Sequence, residues 1–226
     1  IIQSLLKLGI MNVYIRIEID DNDLPVSPVA QKNIDRLFTD DRSKVKLSDS
    51  VRKRVSEGVQ YIYNNTDSGQ LASATNSIAK DLIDAIDSND AIAIDINELK
   101  TSDEYTFKHS VDVATISMIL AKQLGLSQKE IYEIGVAGLL HDIGKTKIPL
   151  EILNKPGKLD DSEFAVMKQH SVFGYKMVRD NPEFPAEIPL AVLQHHEKMN
   201  GKGYPLGAAK PQITSYAKFL SVADVY

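Results

Sequence analysis

The chain has no cysteine among its 226 residues. That excludes disulfides and thiolate metal sites, and it fits a reducing compartment. No apolar run approaches the ~20 residues that span a bilayer, and the first residues do not read as a signal peptide. A soluble, cytoplasmic protein with no membrane partner is expected. A basic tail or Lys/Arg stripe is also missing: 26 basic residues face 31 acidic ones, for a net charge of -5. DNA is therefore not an expected partner, and an anionic ligand needs a local source of positive charge. Repeats and low-complexity tracts are absent too. Histidine does not occur before His109, and all five histidines lie between there and His196.

The apolar content of 43% is enough for one domain with a real core plus a smaller appendage. Residues 1–20 read as a short helix, a stop at Gly9 and a strand, NVYIRIEI; the charged stretch after them, to about Leu47, reads as loop. From Ser48 the period becomes helical. Val51, Val55, Val59 and Ile62 share one face, and after NNTDSG a second helix follows with Leu71, Ile78, Leu82 and Ile86. This stretch, 48–96, reads as a helical connector. It offers a surface for a homodimer or a signalling partner, and reads equally as a hairpin packed on the main domain.

Beyond about residue 97 the chain is almost all helix, so the fold class is mainly α. A helix starting near His109 continues its inner face through Val113, Ile116 and Leu120. Ser127 with Glu130, and Asp160 with Glu163, form capping boxes. The helices behind them carry Ile131, Ile134, Gly138 and His141 on one face, and Met167, His170, Gly174 and Met177 on the other. Pro189 marks the start of a helix with Ala191 and His195, and Ala217, Leu220 and Asp224 line the last one.

Four helices thus present a histidine on or beside an apolar face. One such residue alone is more often a core residue than a ligand. Five in one bundle, adjoined by Asp142 and Asp224, are a different matter, because buried carboxylates are costly unless paired or metal-bound. Imidazole with carboxylate and no thiolate suits Fe, Mn, Zn, Ni or Co. Six or more candidate ligands exceed one tetrahedral ion and point to two metals. Asp142 follows His141 directly, so the two side chains diverge by about 100° and can meet one ion from a helix end. The sequence HHEKMNGKGYP, at 195–205, puts two histidines ahead of a loop in which Gly201 and Gly203 let the chain fold back.

HDIGK at 141–145 resembles the signature of the HD superfamily of metal-dependent phosphohydrolases. With YTFKHS, LNKPGKLDDSEF, KQHSVFGY, HHEKMNGKGYP and VADVY, the stretch 102–226 resembles the HD-GYP subfamily, phosphodiesterases of cyclic di-GMP. The resemblance implies an HD-type helical bundle over 97–226, with 1–47 the end of an accessory N-terminal domain; the catalytic domain reads as incomplete at its C-terminus. It also implies metal ligands at His109, His141, Asp142, His170, His195, His196 and Asp224, with Asp142 bridging two ions. Lys145 corresponds to the lysine at the scissile phosphate, and Tyr204 to the tyrosine of the GYP loop beside the nucleotide, with Gly203 next to it. Some relatives hold a third metal through a Glu four residues before the first His. Here Tyr105 takes that place and Glu104 is out of register, so two ions are expected, Fe or Mn, with Zn, Ni or Co as isolated. Glu197 is a candidate for orienting a histidine from behind.

The expected chemistry is metal-assisted hydrolysis of cyclic di-GMP to pGpG, and on to GMP if a second cleavage follows. Asp142 and Lys145 are the expected catalytic residues, and Tyr204, Lys145 and Gly203 the substrate contacts. Three alternatives remain at this point: the same chemistry on another cyclic dinucleotide such as cyclic GMP–AMP, a sensor without turnover, and a structural protein with core histidines.

Overall fold

The computed structural model describes residues 44–45, 49–67, 69–88, 93–94 and 105–225. The helix and strand expected within 1–20 lie outside these residues. Strands β1 (Lys44–Val45) and β2 (Ala93–Ile94) form a parallel ladder, Lys44 beside Ala93 and Val45 beside Ile94. A two-residue strand leaves no alternating pattern to read, and neither is legible in the sequence. All else with regular structure among the described residues is helical.

Helices α1 (Asp49–Asn64) and α2 (Leu71–Asp87) form a hairpin. Val55, Val59, Ile62, Leu71, Ile78, Leu82 and Ile86 are buried, as the spacing requires, while Val51 at the start of the same face is half-buried against the core. The hairpin packs on the bundle: its apolar face joins the core of α3 (Tyr105–Gln123) and α4 (Gln128–Leu140). Helix α3 begins one turn before the expected position. Its inner face also differs, since Ile116 and Leu120 are half-buried while Val111, Ala114, Met118 and Ala121 are fully covered. Helix α3 is contacted by α1, by α4 and by the last helix of the chain, so a single stripe does not describe it.

Both expected capping boxes are present. Ser127 accepts the N–H of Glu130 at the start of α4, and Asp160 accepts those of Ser162 and Glu163. After α4 the chain turns through His141 and Asp142 into a 3-10 helix, Ile143–Lys147, and a short α5 (Leu150–Leu153). The expected long helix through Met167 and His170 is broken. α6 (Asp161–Met167) ends two residues before α7 (His170–Arg179), and α7 buries His170, Gly174 and Val178 while Met177 is half-buried. The break is what sets His170 at a helix start. α8 (Glu187–Gln194) places Pro189 in its first turn, where a missing N–H is harmless, and ends at His195. A second 3-10 turn, Lys210–Gln212, leads to α9 (Ser215–Val225).

Gly144 explains how α7 approaches the α4 exit. A Cβ there would collide with the carbonyl of His170. Glycine lets the 141–145 turn and the start of α7 touch backbone to backbone.

Candidate metal centre

Every candidate ligand stands at or near the end of a helix. His141 closes α4, His170 opens α7, His195 and His196 follow α8, Asp224 lies in the last turn of α9, and His109 sits in the second turn of α3. Helix ends leave backbone carbonyls without intrahelical partners, and three of the histidines use them. The Nδ1 of His141 lies 2.7 Å from the Gly138 carbonyl, that of His170 2.8 Å from Met167, and that of His195 2.7 Å from Val192. A carbonyl only accepts, so each Nδ1 carries the proton. In the neutral ring each Nε2 is then a lone pair held in one direction, which is how a metal-ligating histidine is oriented.

Those lone pairs converge. His170 Nε2 and His195 Nε2 face each other at 3.2 Å, two acceptors with no proton between them in their neutral forms. Asp142 stands between histidines: Oδ2 is 3.4 Å from His141 Nε2, and Oδ1 is 3.5 Å from His170 Nε2. Asp224 spans the other side, with Oδ1 2.9 Å from His109 Nε2 and 3.7 Å from His141 Nε2, and Oδ2 3.6 Å from His196 Nδ1. The donor atoms form two groups, His109 with His141 and Asp142, and His170 with His195 and His196.

This arrangement fits divalent cations. His141 Nε2 and Asp142 Oδ1 are buried and make no hydrogen bond within the protein. Leaving such atoms unpaired is costly, and a cation satisfies both. Two clusters able to chelate divalent metals are thus present, and all seven expected ligands lie within them or, for Asp224, beside them. The Glu104 and Tyr105 side chains, on which the expectation against a third ion rests, lie outside the described residues.

The electrostatics agree. Burial opposes charge on Asp142, but His141, Lys145 and His170 outweigh it and hold the carboxyl well below the usual range. Burial likewise opposes charge on His141, yet Asp142 and Asp224 outweigh it and push its pKa up to about 10, so positive charge is favoured at Nε2 and a cation there would take the place of a proton. Burial pushes His195 well down and His196 to about 4, so both imidazoles are neutral and free to ligate near pH 7.

Lys145 is partly buried beside Asp142. Its Nζ lies 2.5 Å from Asp142 Oδ2. Tyr204 stacks on His196, with ring centroids 4.7 Å apart and 34° between planes, and the exposed Phe164 stands edge-on at 6.2 Å. Burial, then the charges of Asp224 and Asp142, push the Tyr204 hydroxyl pKa up, so it remains a donor. Gly201 has φ 72°, and a Cβ on Gly203 would collide with the backbone of Glu197 and Lys198, so both glycines are needed for the fold-back.

Glu197 corrects an expectation. Its carboxylate does not orient a histidine; it accepts the N–H of Leu206 at 2.6 Å and of Ala208 at 2.8 Å. It ties the loop down from inside. Two supports were not legible in the sequence. Ser221 on α9 donates to the His195 carbonyl at 2.6 Å, and Tyr216 donates to buried Glu133 on α4 at 2.7 Å, which fixes the helix carrying Asp224. Both residues sit at ordinary positions in an amphipathic helix, and nothing in their spacing marks them.

With this geometry in place, the family described as HD domain matches residues 93–226. The chain belongs to the HD-domain family. The matched stretch contains the dipeptide His141–Asp142. A solved HDG"Y"P protein from Bdellovibrio bacteriovorus shares the fold, with a TM-score of 0.62 over 86% of this chain and 64% of that one at 24% identity. A cyclic di-GMP phosphodiesterase of Pseudomonas aeruginosa is 38% identical over 194 residues, 81% of this chain and 46% of its own. The cyclic di-GMP phosphodiesterase response regulator RpfG of Xanthomonas campestris is 40% identical over 49% of this chain and 30% of its own. The 3'3'-cGAMP-specific phosphodiesterase 1 of Vibrio cholerae is 37% identical over 58% of this chain and 30% of its own. The chain spans less than half the length of these three curated relatives. No helix among the described residues is long and apolar enough to cross a membrane.

Proposed function

We propose that this HD-domain chain hydrolyses a phosphodiester bond of a cyclic dinucleotide, with cyclic di-GMP as substrate and pGpG as first product. The observation that carries the reading is Asp142, whose two oxygens face His141 and His170 from between the two donor groups. His109, His141, Asp142 and Asp224 would hold one divalent ion, and His170, His195, His196 and Asp142 a second. Fe or Mn suits this mixed imidazole and carboxylate set, with Zn, Ni or Co as substitutes in isolated protein. When bound, such ions supply Lewis acidity and lower the pKa of water toward neutrality. They also supply the positive charge that a chain of net charge -5 lacks for a polyanion.

The protein's own groups do the rest. Lys145 holds an ammonium beside Asp142, where it can shift to a phosphoryl oxygen and stabilise charge developing there. Tyr204 offers a ring face for a base and a protonated hydroxyl, on a loop fixed by Glu197. A second reading, cyclic GMP–AMP as substrate, is favoured by the relative in Vibrio cholerae named for that activity. A cytoplasmic site of action belongs to the same proposal.

Anaerobic protein loaded with Mn²⁺ or Fe²⁺ tests this when given cyclic di-GMP, 3'3'-cGAMP and a base-free phosphodiester side by side. Faster turnover of cyclic di-GMP is expected. Faster turnover of 3'3'-cGAMP would select the second reading, and binding without turnover of either would make the chain a sensor.

A further inference from the structure

The buried hydroxyl of Tyr63 takes no part in the chemistry proposed above, yet it lies at the root of the metal centre. Tyr63 belongs to the last turn of α1, in the hairpin, and is 5% exposed. Its Oη donates to the Leu139 carbonyl at 3.2 Å and lies 3.1 Å from Ser110 Oγ. Its ring stands edge-on to Phe107, with centroids 5.6 Å apart. Phe107 and Ser110 bracket His109 on α3, and Leu139 comes two residues before His141 on α4. One side chain of the hairpin thus touches both helices that supply the first donor group. A carbonyl only accepts, so the Tyr63 hydroxyl directs its proton to Leu139.

The end of α4 shows why the oxygen matters. The last carbonyls of a helix have no intrahelical partner. Here the Gly138 carbonyl takes the Nδ1–H of His141, and the next one, Leu139, takes Tyr63. Phenylalanine would fill the same volume. It would leave a carbonyl of the fully buried Leu139 without its partner, and the helix end would tighten or rotate to find another. His141 and Asp142 are the residues such a rotation moves first.

The geometry points to Tyr63 as a positioning residue for the His141–Asp142 pair, acting from the hairpin and setting how well the pair receives a divalent ion. This rests on the reading of the centre as a metal site. The experiment compares the full chain with Tyr63→Phe and, as a control, with Thr75→Val. Thr75 also donates a buried hydroxyl bond, to Leu71 in the same hairpin at 2.7 Å. Mn²⁺ affinity is measured by the spectroscopic signal of free Mn²⁺, alongside melting temperature. Tyr63→Phe should weaken Mn²⁺ binding roughly tenfold or more, the size expected for an outer support of a ligand. Thr75→Val should lower the melting temperature and leave Mn²⁺ affinity unchanged. Wild-type Mn²⁺ affinity in Tyr63→Phe, whatever its melting temperature, would overturn the proposal. A second measurement needs no metal: the imidazole ¹⁵N resonances of His141 should move in Tyr63→Phe while those of His170 and His195 stay. Should the wild type take no Mn²⁺, the metal reading fails, and these resonances still decide the role of Tyr63. An unmoved His141 overturns it.

Discussion

At its N-terminus helix α4 closes on itself, with Ser127 accepting the N–H of Glu130 and Glu130 accepting that of Ser127 at 2.9 Å. At its other end it closes on residues from elsewhere: Tyr63 of α1 takes one carbonyl, and His170 of α7 and Asp224 of α9 face the side chains of His141 and Asp142. The first end is exposed and spans four residues, Ser127 to Glu130. The second is buried and draws on segments that lie far apart in the chain. A local cap stabilises a helix and does little else. A cap assembled from afar fixes where two side chains point, and that is what a metal site needs.

The sharpest way to break this contrast is Asp142→Ala. It should remove both ions and bring turnover below detection, while the apolar faces keep the helical content seen by circular dichroism. Elemental analysis that still finds two ions per chain would end the bridging role of Asp142.

Gly144→Ala should be the next largest effect. The added methyl meets the His170 backbone, which cannot give way as a flexible side chain does. A loss of about 3 kcal/mol, at the upper end for overpacking, is expected in denaturant unfolding. Metal content should fall with it, because the same shift separates His170 from Asp142. A stable variant with full metal would show that the turn has room for a methyl group.

Lys145→Ala should leave metal content intact and lower the rate about 10²-fold, roughly 2.7 kcal/mol of transition-state stabilisation. The loss should appear at subsaturating substrate. Equal rates would leave Lys145 as a partner of Asp142 and nothing more.

The smallest effect belongs to the other end of α4. Ser127→Ala should cost about 1 kcal/mol at neutral pH and leave metal and turnover alone. Its pH dependence has a definite sign. The Ser127 side-chain and backbone hydrogen bonds lower the Glu130 pKa from its ordinary 4.5. The stability gained is complete above the unfolded value and is lost as pH falls through the lower folded one. The gap between wild type and Ser127→Ala should therefore narrow in acid. A gap that stays constant to pH 3 would show that Glu130 contributes nothing to the cap.

Much of this was legible in the residues. Both capping boxes, the apolar faces of α1 and α2 and the clustering of histidines after His109 follow from spacing within a turn or two. The break between α6 and α7 was not, because Lys168 and Gln169 carry no helix-breaking signal; the contact between Gly144 and His170 accompanies it. Glu197 was placed behind a histidine on the strength of adjacency, whereas its carboxylate turns into the loop to meet two backbone N–H groups. Lys145 sits one turn from His141 in any helix-end reading, but its contact with Asp142 depends on the 3-10 turn that follows.

The sequence by itself determined the kinds of donor, imidazole and carboxylate without thiolate, and set most of them at helix ends where a ring nitrogen can reach a carbonyl three residues back. Tertiary structure alone decided which oxygen of Asp142 faces which histidine, that Asp224 closes on His109 across a separation of 115 residues, and that a tyrosine of the hairpin caps α4. The reason is range. Backbone geometry carries positional information over about one helical turn, whereas ligand atoms a few ångströms apart on separate helices are held there only by the packing of the core between them.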